Sequence, residues 1–258
     1  MSWHYVQQGK GRPLVLLHGI GMSHAAWSPI MPFLAAERRV IAFDIAGFGQ
    51  TPPLPNQATP SAANIISALA VVLKKMGIDE PVDIAGNSLG GYFALEAAKL
   101  GLARSVVALS PAGLWKQGTP RHITPVFDVM RTALNTLPRL SKLLVSFAPT
   151  RTLLMAVPIS SYAWRMPSRD AVIATNNFAN ATAFDETSDA VQPFTGGHGI
   201  KVPITVAFGT RDWLLTASCQ HRDELPVHTR WYQPRGWGHV PMWDDPKAVA
   251  QLILEGTV

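Results

Sequence analysis

A chain of 258 residues with 47% apolar and 15% charged residues has the composition of a folded protein with a sizeable core, and this excludes an intrinsically disordered one. The formal charge is +5, but the Lys and Arg residues are scattered, with Arg38-Arg39 and Lys74-Lys75 only as pairs, so the charge reads as a solvated surface and excludes a nucleic-acid stripe. The single cysteine, Cys219, excludes an internal disulfide and points to a reducing compartment, and no Cys/His cluster has structural zinc spacing.

The amino terminus, MSWHYVQQGKGRP, lacks a charged leader followed by an apolar core, and no apolar run reaches the roughly 18 residues of a membrane span. The expectation is a cytoplasmic protein without stable membrane insertion. Residues Leu14 to Leu17 then form a short, wholly apolar run ending at His18-Gly19, as a strand buried on both faces of a parallel sheet would. The pattern recurs at Val40 to Phe43 before Asp44, Val82 to Ala85 before Gly86, Val106 to Leu109 before Ser110, and Ile204 to Phe208 before Gly209.

Between these runs lie segments with helical spacing, Trp27 to Ala36, Ser61 to Met76 and Leu89 to Leu100, the last followed by the C-cap candidate Gly101. Strands alternating with helices imply right-handed crossovers and an α/β fold with a mostly parallel, doubly wound sheet. The alternation breaks after Ser110. Helix-like stretches follow at Thr124 to Leu137, Leu140 to Phe147 and Arg169 to Phe178, interrupted by prolines and with no convincing strand until Val202. The expected organisation is a core of residues 1–113 and 194–258 with a helical lid, 114–193, over the carboxyl ends of the strands; a helical domain unrelated to the site is the alternative.

Gly86-Asn87-Ser88-Leu89-Gly90 matches G-x-S-x-G between a predicted strand and a predicted helix. The bare pattern arises by chance in about one such chain in ten, and its setting makes it specific. A serine thrust out of a sharp strand-to-helix turn adopts strained backbone angles and crowds the positions two residues either side, which glycine relieves. At these residues the chain resembles the α/β-hydrolase fold family, in its serine-hydrolase branch, over most of its length apart from the lid. That resemblance implies a lid inserted after the sixth strand and a triad in the order Ser, acid, His.

The resemblance places the acid after the strand that follows the lid, at Asp212, with Asp223, in a charged segment that reads as helical, as its rival and a turn-capping role for Asp212 as the plain alternative. It places the base after the last strand, near Thr229 to Gln233, where Gly236-Trp237-Gly238-His239-Val240-Pro241 resembles the family's histidine loop. His239 is thus the expected base and Ser88 the nucleophile. His4, His122, His198, His221 and His228 have no comparable setting, and Asp244-Asp245 read as the start of a closing helix. His18-Gly19-Ile20-Gly21 resembles the family's HGxG element, so the amides of Ile20 and Leu89 are the expected oxyanion donors, with Gly21 the neighbouring option and His18 structural. The Asp44 to Gly49 loop resembles a family loop whose role is shape. The implied reaction is acyl transfer through Ser88, with no metal or cofactor in either step.

The expected partner is a small-molecule substrate; no sequence signal bears on oligomeric state. Asn87, Trp115, Phe127, Met130, Trp164, Trp213 and Val240 are the candidate substrate contacts, although lid aromatics and methionines, with Leu134, Met155, Met166 and Phe178, equally suit the lid's own core. Three readings stand at this stage. The first is a carboxylesterase acting on a small to medium apolar acyl or aryl group. The second is a hydrolase of carbon–carbon bonds in aromatic meta-cleavage products, whose sequences commonly carry Asn where Asn87 stands but an aromatic residue where Val240 follows His239. The third is a non-enzymatic ligand receptor on the same fold. Serine at position 88 speaks against the dehalogenase and epoxide-hydrolase branches, which use Asp there.

Overall fold

The computed structural model describes residues 2–257. Each apolar run becomes a strand: β2 (Pro13–Leu17), β3 (Arg39–Phe43), β4 (Val82–Asn87), β5 (Ala103–Leu109) and β6 (Ile204–Ala207), followed by β7 (Arg230–Tyr232). One strand was not anticipated: β1 (Tyr5–Gln8), half polar and mostly exposed, pairs antiparallel with β3 at the sheet edge and so lacks the apolar signature of a doubly buried strand. The seven strands run in the order β1-β3-β2-β4-β5-β6-β7, parallel from β3 to β7.

Alternate residues of each strand face opposite cores. Val15, Leu17, Ile41 and Phe43 pack with α2 (Ala62–Lys75) and α3 (Leu89–Lys99). Leu14, Leu16, Val40 and Ala42 pack with α1 (Met31–Ala35) and the closing helix, here numbered last as α9 (Pro246–Gly256). The expected Trp27 to Ala36 helix is split into a single 3-10 turn, His24–Trp27, and α1, because Pro29 offers no N–H to continue the hydrogen-bond ladder. Register levels the carboxyl ends of the central strands: Leu17 pairs with Gly86, Asn87 with Leu109, and Leu109 with Ala207. The residues after these ends, His18, Ser88 and Ser110, therefore emerge together along one rim of the sheet.

Between β5 and β6 the chain forms α4 (Ile123–Thr136), α5 (Pro138–Ser146), α6 (Ala148–Met155), α7 (Ser168–Ala179) and α8 (Phe184–Ala190). The segment follows the fifth strand, not the expected sixth, since only β1 to β5 precede it. Helices α6 and α8 had no counterpart in the sequence reading, being too short for a full apolar period. Buried Arg151 organises the segment by donating to the carbonyls of Val145, Ser146 and Ala163. Asp223 stands in turn structure and not in a helix; it is exposed and paired with Lys116, far too solvated to rival Asp212.

A single buried carboxylate staples the amino-terminal edge. Asp44 accepts from the His24 amide (2.7 Å) and His24 Nδ1 (2.8 Å) on one oxygen, and from the Gln50 amide (2.9 Å) and His4 Nδ1 (3.0 Å) on the other. Burial alone would push its carboxyl up, but the bonds from His24, the neighbouring His18 and the Gln50 amide outweigh it and hold the group well below the usual carboxylate range. A depressed folded-state value means this stabilisation is fully present above the unfolded value of about 4 and is lost as pH falls below it. In urea unfolding across pH, Asp44→Asn should cost about 2–4 kcal/mol at neutral pH and flatten the acid limb below about pH 4. An acid limb as steep as that of the wild type would contradict this assignment.

Candidate active site

The turn joining β4 to α3 has no room for side chains beside its serine. A Cβ at Gly90 would run into the Leu17 carbonyl, and one at Gly86 would meet the backbone of Gly90. Ser88 itself has φ 54° and ψ −116°, a conformation a non-glycine residue holds only when its surroundings enforce it. They do so through backbone bonds: the Ser88 amide donates to the Leu109 carbonyl (2.9 Å), and the Ser88 carbonyl accepts from the amides of Tyr92 (3.0 Å) and Ala112 (3.1 Å). The serine thus sits at the positive end of α3.

His239 and Asp212 meet as expected, although 27 residues apart in sequence: Nδ1–H of the imidazole donates to Asp212 Oδ2 at 3.0 Å, with both side chains buried. The other carboxylate oxygen accepts from the amides of Leu214 (3.1 Å) and Leu215 (2.8 Å). Burial would raise the Asp212 carboxyl, but the charge and hydrogen bond of His239, the Leu215 amide and the Ser110 hydroxyl together hold it below its ordinary value. Ser110 was missed by the sequence reading. Its position immediately after β5, in the row with His18 and Ser88, was the available signal, and its φ of 44° marks it as constrained. Among the described residues no hydrogen bond joins Ser88 Oγ to His239, but both side chains line one cavity.

The loop carrying His239 is tied on three sides. Asn87 Nδ2 donates to the His239 carbonyl (2.8 Å) and to that of Leu109 (3.1 Å), the Val240 amide donates to Ile159 (2.6 Å), and the Gly238 amide donates to Asp244 (2.6 Å). Asn87, expected at the substrate, therefore spends its amide nitrogen on the scaffold; its buried Oδ1 is left without a partner. Asp244 also accepts from the Tyr162 amide (2.9 Å), while Asp245 caps α9 through the Ala248 amide (3.2 Å), so both are structural as expected. His18 is structural too: its Nδ1–H donates to the Gly19 carbonyl (2.7 Å), its Nε2 accepts from the Ile45 amide (3.0 Å), and burial brings its pKa down to about 4.

Ser88, His239, Asn87, Ile20 and Val240 line a cavity of about 320 Å³ roofed by α4 to α7. Ile20, Ser88 and Leu89 also line a smaller adjoining recess. Phe127 and Met130 line the main cavity, with Leu134, Met155 and Phe178. Trp115 lines only the recess. Trp164 and Trp213 do not contact either space: Trp164 is half exposed with its ring edge-on to Tyr162, and Trp213 turns outward to solvent, because the backbone amides of Leu214 and Leu215, not its own side chain, are what that loop contributes at Asp212. Met166 and Met242 are buried in the core beneath. Aliphatic residues the sequence reading did not single out, Leu137, Leu140, Leu144 and Leu154, complete the wall. Among the described residues none of the lining side chains is Lys, Arg, Asp or Glu.

A sequence profile for the family described as alpha/beta hydrolase fold matches residues 12–246. The chain is 37% identical over 115 residues to the 2-hydroxy-6-oxo-6-(2'-aminophenyl)hexa-2,4-dienoic acid hydrolase of Metapseudomonas resinovorans, a match covering 43% of this chain and 39% of that protein. It is 34% identical over 101 residues to the pimeloyl-[acyl-carrier protein] methyl ester esterase of Legionella pneumophila (strain Paris), covering 38% of this chain and 36% of that one. These matches thus span little more than a third of either relative. A thermophilic esterase from Thermogutta terrifontis superposes with a TM-score of 0.68 at 18% identity, over 98% of this chain and 92% of the other, a likeness of fold.

The packing at the turn sets a direct test. Gly90→Ala forces a Cβ against the Leu17 carbonyl, and because backbone must move, the variant should lose at least about 2 kcal/mol in urea unfolding. A variant as stable as wild type would show that the turn is looser than described.

Proposed function

We propose that this chain, which belongs to the α/β-hydrolase fold family, is a serine hydrolase that cleaves carboxylic esters of uncharged, apolar acyl groups through an acyl-enzyme on Ser88. The observation that carries the reading is the strained Ser88 opening into the same uncharged cavity as the Asp212-bound His239. In this reading His239 takes the Ser88 proton as Oγ adds to the ester carbonyl, and Asp212 keeps the imidazole in the tautomer that leaves Nε2 free and then stabilises the imidazolium. The oxyanion is received by the amides of Ile20 and Leu89 at the start of α3. His239 returns the proton to the departing alcohol, and water, activated by the same imidazole, releases the acid. We further assign residues 114–193 as a lid on a core formed by 1–113 and 194–258, since α4 to α7 supply most of the cavity wall.

The second reading, a carbon–carbon bond hydrolase of ring-cleavage products, is favoured by Asn87 before the serine and by the Metapseudomonas relative. The cavity speaks for the ester instead. A dienoic acid enters as a carboxylate, and burying it without a cationic partner is costly; the lining offers it no Lys or Arg.

Ser88→Ala should lower kcat toward p-nitrophenyl butyrate at least about a thousandfold. Undiminished turnover would end the assignment of the nucleophile. Asp212→Asn should lower kcat by a similar factor with KM little changed, the mark of a group that orients the base without binding substrate. Along a series of p-nitrophenyl esters, each added methylene should raise kcat/KM about threefold until the cavity is full. Faster turnover of a ring-cleavage dienoate than of any ester would overturn the ester reading and leave Ser88 as the nucleophile.

A further inference from the structure

The helices over the cavity are apolar on both sides. On α5 the inward stripe, Ser141, Leu144 and Val145, lines the cavity. Leu143 of α5 is 55% exposed, Leu140 stands at the cavity rim, and Phe147, the extended residue that ends the helix, adds a ring 59% exposed. Helix α6 and the turn beyond its carboxyl end add Leu153, 80% exposed, Leu154 and Val157. Single exposed leucines are ordinary, but a contiguous set of this size marks a surface that something covers.

Charge says what kind of surface that is. Between Asp128 and Asp170 the sequence has no acidic residue but contains Arg131, Arg139, Lys142, Arg151, Arg165 and Arg169. Arg131 is paired with Asp185, Arg151 is buried on carbonyls, and Arg165 reaches the Asp244 carbonyl and the Tyr162 ring. Arg139 and Lys142 stay exposed on α5 beside these leucines, with no acidic partner among the described residues. Cations flanking an exposed apolar surface suit an interface whose outer layer is anionic and whose inner layer is hydrocarbon.

The patch is also continuous with the cavity. Val129, Leu137, Leu140 and Leu154 are exposed and line the cavity at once, so its mouth opens within the apolar face. A second copy seated there symmetrically would set Arg139 and Lys142 against their own counterparts, and a rigid protein partner would plug the mouth. A lipid layer does neither.

We propose that the outer face of α5 and α6 docks on an anionic lipid bilayer, with Leu143, Phe147 and Leu153 in its interfacial layer and Arg139 and Lys142 on its headgroups, so that the cavity opens toward the hydrocarbon. Docking is independent of the chemistry assigned to Ser88, and Ser88→Ala protein should dock like the wild type. The full chain, in wild-type and Ser88→Ala forms, is sedimented with mixed phosphatidylglycerol–phosphatidylcholine vesicles and with pure phosphatidylcholine vesicles, at low and high salt. We expect partitioning to the anionic vesicles that weakens with salt. The Arg139→Gln/Lys142→Gln pair should weaken it about fivefold per charge removed, and Phe147→Asp/Leu153→Asp should abolish it, with wild-type thermal unfolding in both. If the aspartate pair fails to fold, the glutamine pair, which changes only exposed cations, still decides. Absence of binding, binding unchanged in the glutamine pair, or salt-insensitive binding to both vesicle types would overturn the proposal. So would sedimentation velocity showing a dimer that Phe147→Asp/Leu153→Asp dissolves, since the face would then belong to a second copy.

Discussion

Everything at the site depends on how closely the β4–α3 turn approaches the end of β2. With no space for a Cβ at Gly86 or Gly90, the turn is sharp, and sharpness is what forces Ser88 to φ 54°. Such strain persists only where the surroundings over-determine it. Here the parallel register does so, tying the Ser88 amide to β5 and levelling Leu17, Gly86 and Ala108 across three strands. The same register sets His18 and Ser110 on either side of the serine, the first to brace the loop bearing Ile20, the second to bond Asp212.

The loop of His239 is held from two directions. Asn87, next to the serine, holds the His239 carbonyl, while Ile159 and the Ser160–Tyr162 backbone, in the segment between α6 and α7, hold Val240 and Asp244. The helical segment is thereby stitched to the residue proposed as the base, not merely laid over it.

The absence of Lys, Arg, Asp and Glu from the cavity lining and the absence of acid on α5 and α6 above it belong together. A lining without Lys, Arg, Asp or Glu suits molecules that partition out of water, and an outer face that is apolar and cationic suits the phase in which such molecules collect. Helix α5 serves both surfaces because Leu144 and Val145 face the cavity while Leu143 is exposed, an arrangement that a helix packed against a core on one side and water on the other has no reason to keep.

The doubly buried strands were legible in the sequence because a wholly apolar run has few alternatives, Ser88 was legible because its G-x-S-x-G turn follows such a run, and Asp212 and His239 were legible through the resemblance to the α/β-hydrolase family. Beta1 was not, since an edge strand carries no apolar signature, and neither were α6 and α8, too short to show a period. Trp164 and Trp213 misled for a related reason: residue type says that a side chain is apolar, but only packing decides which way it points. Ser110, the ties on the His239 loop and the staple at Asp44 join residues on separate elements, as with Asn87 and His239 at 152 positions apart, and no local pattern encodes such pairs. The sequence by itself determined the buried strands of the sheet and the turn at Ser88, because these follow from short-range sterics and hydrophobic periodicity, while the order of the three candidate groups came from the resemblance to the family. Only the tertiary structure decided which side chains line the cavity, that none of them is charged, and that the helices above it turn a second apolar face outward, because those facts depend on how elements distant in sequence pack against one another.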